Sequence, residues 1–88
     1  MITIEQLTKI LYDADPMALK PLGVPEDEYR PEAEVILATI EMYGYDLADY
    51  DLARALDKTF MEFFSPGYTS RSRHYWLKVA RRIRNADA

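Results

Sequence analysis

The sequence predicts an all-α fold: a compact four-helix domain in which an ordered, proline-rich linker joins the first two helices. Three observations carry this expectation. Apolar residues recur at three- and four-residue spacing over four separate stretches, the period of a helix with one buried face. All three glycines and all five prolines fall at the breaks between those stretches or in a first helical turn. No segment alternates apolar and polar residues for long enough to argue for a strand.

The first helix opens at Thr3, with Gln6 three residues on to complete a capping box. Ile4, Leu7, Ile10, Leu11 and Ala14 form its apolar stripe. Asp15-Pro16 stops it, because the residue before a proline is biased away from helical dihedrals. The linker follows, and Pro16, Pro21 and Pro25 forbid a long helix there. Met17, Leu19, Leu22 and Val24 give it apolar residues to pack down, unlike a flexible Gly/Ser linker. A turn or short helical piece is expected near residues 16–20.

Pro31 suits the first turn of the second helix, and Glu32 and Glu34 suit its positive end. Ala33, Ile36, Leu37 and Ile40 form one stripe, with Val35, Ala38 and Met42 on the opposite side. Apolar character on two sides predicts that this helix is the buried centre of the domain. Gly44 ends it. Asp46 or Asp49 is expected to cap the third helix, whose apolar face reads Ala48, Leu52, Ala55, Leu56, Thr59, Phe60, Phe63 and Phe64. Ser65-Pro66-Gly67 breaks the chain. Thr69 or Ser70 is expected to cap the fourth helix, where Tyr75, Trp76, Val79, Ala80 and Ile83 point inward and Arg71, His74, Lys78, Arg81 and Arg82 share the outer face.

Bulk properties narrow the function. The chain of 88 residues reads as one domain, residues 1–88. It has no cysteine, which excludes disulfides and thiolate metal sites, and one histidine, which excludes an imidazole cluster. No apolar run approaches the roughly 20 residues of a membrane span. The first residues lack a basic-then-apolar signal, so a cytoplasmic setting without membrane contact is expected.

Charge is unevenly divided. Residues 1–70 carry five Lys/Arg against fourteen Asp/Glu, whereas residues 71–88 carry six against one. The acidic run Glu26-Asp27-Glu28, followed by Tyr29, sits in the linker. Together with Asp13 and Asp15 it raises the idea of an oxygen-ligand metal site. The spacing matches no EF-hand loop, so a solvated face or a partner for arginines is the better reading. No metal and no cofactor is expected. Lone His74 pairs with no Ser or Thr and acid in a triad order, and no Gly-rich phosphate loop exists, so no catalytic residues are assigned.

Arg71, Lys78, Arg81 and Arg82 are candidate phosphate contacts on the fourth helix. The acidic whole, with a sequence pI near 4.9, argues against a nucleic-acid partner. Six of the seven tyrosines, Tyr12, Tyr29, Tyr43, Tyr45, Tyr50 and Tyr68, lie at or near predicted helix ends. With the acidic linker they favour a protein-binding patch.

The pieces Asp15-Pro16, Pro25-Glu26-Asp27-Glu28-Tyr29 and Pro31-Glu32 resemble a motif of small bacterial YugE-like proteins of unknown function. Related patterns occur among immunity proteins of bacterial polymorphic toxin systems. The resemblance covers about residues 5–64. Ala14 stands where that pattern often has an aromatic residue, and Arg30 where it often has an acidic helix cap. The resemblance implies an all-helical fold and a bacterial cytoplasmic setting, and brings no catalytic residues.

The expected function is therefore non-enzymatic protein binding, in its sharpest form immunity-type inhibition of a basic toxin domain. Glu26, Asp27, Glu28 and Tyr29 are the candidate contacts, with Asp46 and Asp49 nearby if helices two and three form a hairpin. The alternative is a nucleic-acid-associated regulator using the basic fourth helix. The oligomeric state is open.

Overall fold

The computed structural model describes residues 1–44 and 47–87. Among them are four α-helices, α1 (Ile4–Ala14), α2 (Arg30–Tyr43), α3 (Asp49–Phe64) and α4 (Arg73–Asp87), and no strand. The radius of gyration, 12.1 Å, equals the roughly 12 Å expected of a compact chain this long.

Local chemistry accounts for the helix ends. Thr3 Oγ1 accepts from the Gln6 amide at 3.1 Å, and Gln6 Oε1 accepts from the Thr3 amide at 2.8 Å, a complete capping box. α1 ends at Asp15, which takes a left-handed conformation (φ 50°) and donates its amide to the Leu11 carbonyl. Aspartate is one of the few residues that tolerates this region. Arg30 and Pro31 form the first turn of α2, and Gly44 closes it with φ 59°, its amide donating to the Ile40 carbonyl.

Two expected caps differ. Ala48, with no side-chain cap, precedes α3, and Asp49 is the first residue inside it. Asp46 and Tyr45 lie outside the described residues. At α4 the cap is Ser72 rather than Thr69 or Ser70: its Oγ accepts from the Tyr75 amide at 3.1 Å, and its carbonyl accepts from the Trp76 amide. Ser70 is instead drawn to Asp57, at 3.2 Å.

The helices pack as a ring, α1 on α2, α2 on α3, α3 on α4 and α4 back on α1, with the α3–α4 interface the largest. Leu7 and Leu11, Ile36, Leu56 and Phe60, and Trp76 and Ile83 meet in the centre, essentially without solvent contact. Phe60 is the hub. Its ring lies 5.6 Å from Tyr29, 5.3 Å from Trp76 and 5.8 Å from Phe64. Such pairs contribute about 0.5–1.5 kcal/mol each beyond the area they bury.

α2 is not the buried centre that its two apolar sides predicted. It buries Glu32, Ala33, Ile36 and Ile40 but leaves Val35 and Met42 in solvent, Met42 at 77% exposure. The ring gives each helix two neighbours, which cover only one side of α2. α3 is rotated slightly from its expected face. Ala53 is buried toward α4, while Ala48 and Phe63 are exposed.

Candidate functional site

The linker residues divide into a half-buried knot and an exposed turn. In the knot, the Asp15 carboxylate accepts from the Leu19 amide at 2.8 Å, the Lys20 amide at 3.1 Å and the Tyr29 hydroxyl at 2.7 Å. The same hydroxyl oxygen accepts from the Met17 amide at 3.1 Å. Burial by itself would raise the Asp15 carboxyl, but the hydrogen bonds from Tyr29, Lys20 and Leu19 outweigh it and hold the group below its ordinary range. The Tyr29 hydroxyl is pushed up, by burial first and by the Asp15 carboxylate second.

These contacts correct one expected site residue. Tyr29 has no solvent exposure, so it is a core residue and not an exposed aromatic anchor. Its neighbours in sequence behave otherwise. Glu26 and Asp27 are exposed and Glu28 is half-buried, in a turn where the Glu28 amide donates to Pro25 and the Arg30 amide to Asp27. Met17, Leu19 and Val24 are half-buried. Leu22, at 76% exposure, lies on a 3₁₀ turn (Lys20–Leu22) instead of packing inward. A further turn, Asp15 to Ala18, falls close to the expected place.

Asp49 does not join the acidic turn. Tyr29, beside that turn, packs on Phe60. Asp49 lies eleven residues earlier in α3, about 16 Å along the helix at ~1.5 Å per residue. Its carboxylate instead faces α4, 2.9 Å from Arg84 and 3.9 Å from Arg81. Glu32 adds a feature that the sequence did not show. It is 4% exposed, its Oε2 has no hydrogen-bond partner, and burial raises its carboxyl. Among the described residues no group of three His, Asp or Glu side chains is placed to hold a metal.

The basic residues are partly engaged within the fold. Arg71 donates Nε and Nη2 to the Pro16 carbonyl at 3.0 and 2.8 Å, which ties the α3–α4 loop to the linker. Arg82 lies 3.9 Å from Asp13 of α1. Lys78 and His74 are exposed on the outer face of α4. Two arginines of the expected phosphate-binding face thus have acidic neighbours and a third has a carbonyl.

The surface that the sequence reading missed lies on the open side of α2. Val35, Ala38 and Met42 stand at helical spacing there, beside Ala55 and Phe63 of α3. Two adjoining hollows of about 560 and 500 Å³ share Val35, Thr39 and Met42, forming one groove along the α2–α3 seam. Glu34, Asp51 and Glu62 line it, with Lys58 3.9 Å from Glu62. Pro31, which directly follows the acidic turn and Arg30, forms one end. The signal was present as the second apolar stripe of α2.

No family model, curated protein or solved structure matches this chain. No described helix is long and apolar enough to cross a membrane.

Proposed function

We propose that this chain is a non-enzymatic protein-binding domain that takes a basic, amphipathic helical segment of its partner into the α2–α3 groove. The observation that carries this reading is the open apolar stripe of Val35, Met42 and Phe63, exposed at 42, 77 and 46%. Contiguous exposed apolar surface on a small domain marks an interaction site. A groove between two helices suits the apolar face of a third. The lining carboxylates Glu34, Asp51 and Glu62, the turn Glu26-Asp27-Glu28 near one end and the net charge of −4 select a cationic partner. They also steer its approach. An immunity-type inhibitor holding a basic toxin domain is the sharpest form of this proposal. The pairing of Arg81 with Asp49 and of Arg82 with Asp13 lends no support to nucleic-acid binding through the outer face of α4.

The test places a photo-crosslinking residue at Met42 in the full chain, identifies what it captures in the native host, and measures binding of the purified partner. A partner with a basic amphipathic segment, lost on Val35→Glu and Met42→Glu with melting unchanged, supports the reading. An acidic partner, capture of a second copy alone, or binding indifferent to both variants overturns it. For a toxin partner, co-expression of the chain restores growth.

A further inference from the structure

A second face of α3 borders a cavity of a different character. Tyr50, Arg54 and Asp57, at helical spacing on α3, line a hollow of about 440 Å³ whose other walls include Arg71 of the α3–α4 loop and Arg73 and Trp76 of α4. Three arginines and one aspartate thus share its lining in a protein that is acidic as a whole.

The carboxylate is already occupied. Asp57 Oδ1 accepts from Trp76 Nε1 at 3.1 Å, from the Ser70 hydroxyl at 3.2 Å and from the Tyr68 hydroxyl, so it fastens the loop and α4 to α3. The arginines are held but not neutralised. Arg71 is oriented by the Pro16 carbonyl, a neutral acceptor. Arg73 lies over the Tyr50 ring, 4.8 Å from its centroid. Among the described residues neither Arg54 nor Arg73 makes an ion pair, whereas Arg30, Arg81, Arg82 and Arg84 each lie within 4.0 Å of a carboxylate. α4 begins at Arg73, so its positive end adds to the same field.

We propose that this cavity binds a phosphate monoester, its phosphoryl oxygens taken by Arg54, Arg71 and Arg73. Guanidinium forks match phosphate and carboxylate oxygens alike, so charge makes the choice. Three cations less Asp57 leave two positive charges, which a phosphate monoester of about −1.5 to −2 at neutral pH balances and a carboxylate half-balances. Volume selects the ester over the free ion. The hollow lies within the roughly 300–1,000 Å³ range of small-molecule sites, larger than a phosphate ion fills, and Tyr50 offers a ring to the organic part.

The experiment follows the arginine Nε–H and backbone amide signals of the full ¹⁵N-labelled chain during titration with inorganic phosphate, ribose 5-phosphate, acetate and chloride at constant low ionic strength. Ribose 5-phosphate is expected to saturate shifts at Arg54 and Arg73, to bind more tightly than inorganic phosphate, and to exceed acetate by at least about fivefold. Arg54→Gln and Arg73→Gln should each weaken it by about tenfold with helical content unchanged, while Lys78→Gln on the outer face of α4 leaves it unaltered. Acetate binding as tightly as the ester, inorganic phosphate binding more tightly than the ester, equal loss on Lys78→Gln, or full affinity in Arg54→Gln would each overturn the proposal.

Discussion

The Tyr29 hydroxyl donates to Asp15 Oδ1 across 2.7 Å and 14 residues of chain, which makes the linker a closed loop pinned at both ends. A hydrogen bond to a charged acceptor contributes about 1.5–3 kcal/mol, so Tyr29→Phe should destabilise the fold by roughly 2 kcal/mol. Asp15→Asn should do the same, and the double variant should show coupling of at least about 0.5 kcal/mol by chemical denaturation. Acid sensitivity follows from the sign of the Asp15 shift. Its folded-state carboxyl lies below the ordinary 3.8, so its stabilisation is present above that value and lost as pH falls through the lower one. In Tyr29→Phe the acid transition should begin at higher pH. Wild-type and variant acid titrations that superimpose would show that the bond contributes nothing.

The same pair predicts a proteolysis pattern. Residues 16–25 should resist limited proteolysis in the native chain and become the first site of cleavage in Asp15→Asn, because three hydrogen bonds to that carboxylate hold the segment. Early cutting there in the wild type would mean that the loop opens freely in solution.

Ile36 and Met42 lie on opposite sides of α2, one fully buried and the other 77% exposed. Ile36→Ala should lose about 2–5 kcal/mol and Met42→Ala less than about 0.5. Tyr29→Ala belongs with Ile36, at roughly 3–5 kcal/mol, because it empties a site against Phe60. Urea midpoints at equal slope give the ranking, and equal midpoints for Ile36→Ala and Met42→Ala would contradict the burial.

Much of the fold was legible because its signals are local. The Thr3–Gln6 capping box, the Asp15-Pro16 stop, the Gly44 cap and the Ser65-Pro66-Gly67 break are set by residues within a few positions of each other. What depended on neighbours was not. Periodicity showed that α2 has two apolar sides, but not that the ring leaves one uncovered. Tyr29 follows three acidic residues and so reads as surface, yet its ring is placed by Phe60, 31 positions away. The site residues suffered most: Asp49 is matched to α4, and the groove and the arginine cavity each join helices that the sequence alone does not orient.

Glu26 and Asp27 are exposed and Glu28 is half-buried, whereas Tyr29 is fully buried. Replacing all three with Lys should change stability by less than about 0.5 kcal/mol per site while slowing association with a basic partner. Matched melting curves with undiminished partner association would remove the turn from the binding surface.

Glu32 poses a contest between two local effects. It sits in the first turn of α2, where the helix dipole favours a negative charge by about 0.3–1 kcal/mol. Burial opposes this, since the side chain is nearly enclosed and Oε2 lacks a partner. The net result is a carboxyl raised above 4.5, chiefly by burial, with the Glu28 charge adding to it and its own backbone amide opposing. The sign is therefore the reverse of Asp15. A raised carboxyl penalises the fold wherever it is ionised in the native state, and the penalty fades as pH falls through the folded value toward 4.5. Glu32→Gln keeps the shape and removes the charge, so it should stabilise the protein at neutral pH by about 1 kcal/mol, the order of the extra penalty an unpartnered buried group carries when it is charged rather than neutral. For a domain of this size that is a rise of roughly 4–8 °C in Tm. Near pH 4 the gain should shrink toward zero, because the wild-type carboxyl is then largely protonated in the native state. Melting curves of both proteins at the two pH values decide the contest: a lower Tm for Glu32→Gln at neutral pH would show that the helix dipole outweighs burial at this position.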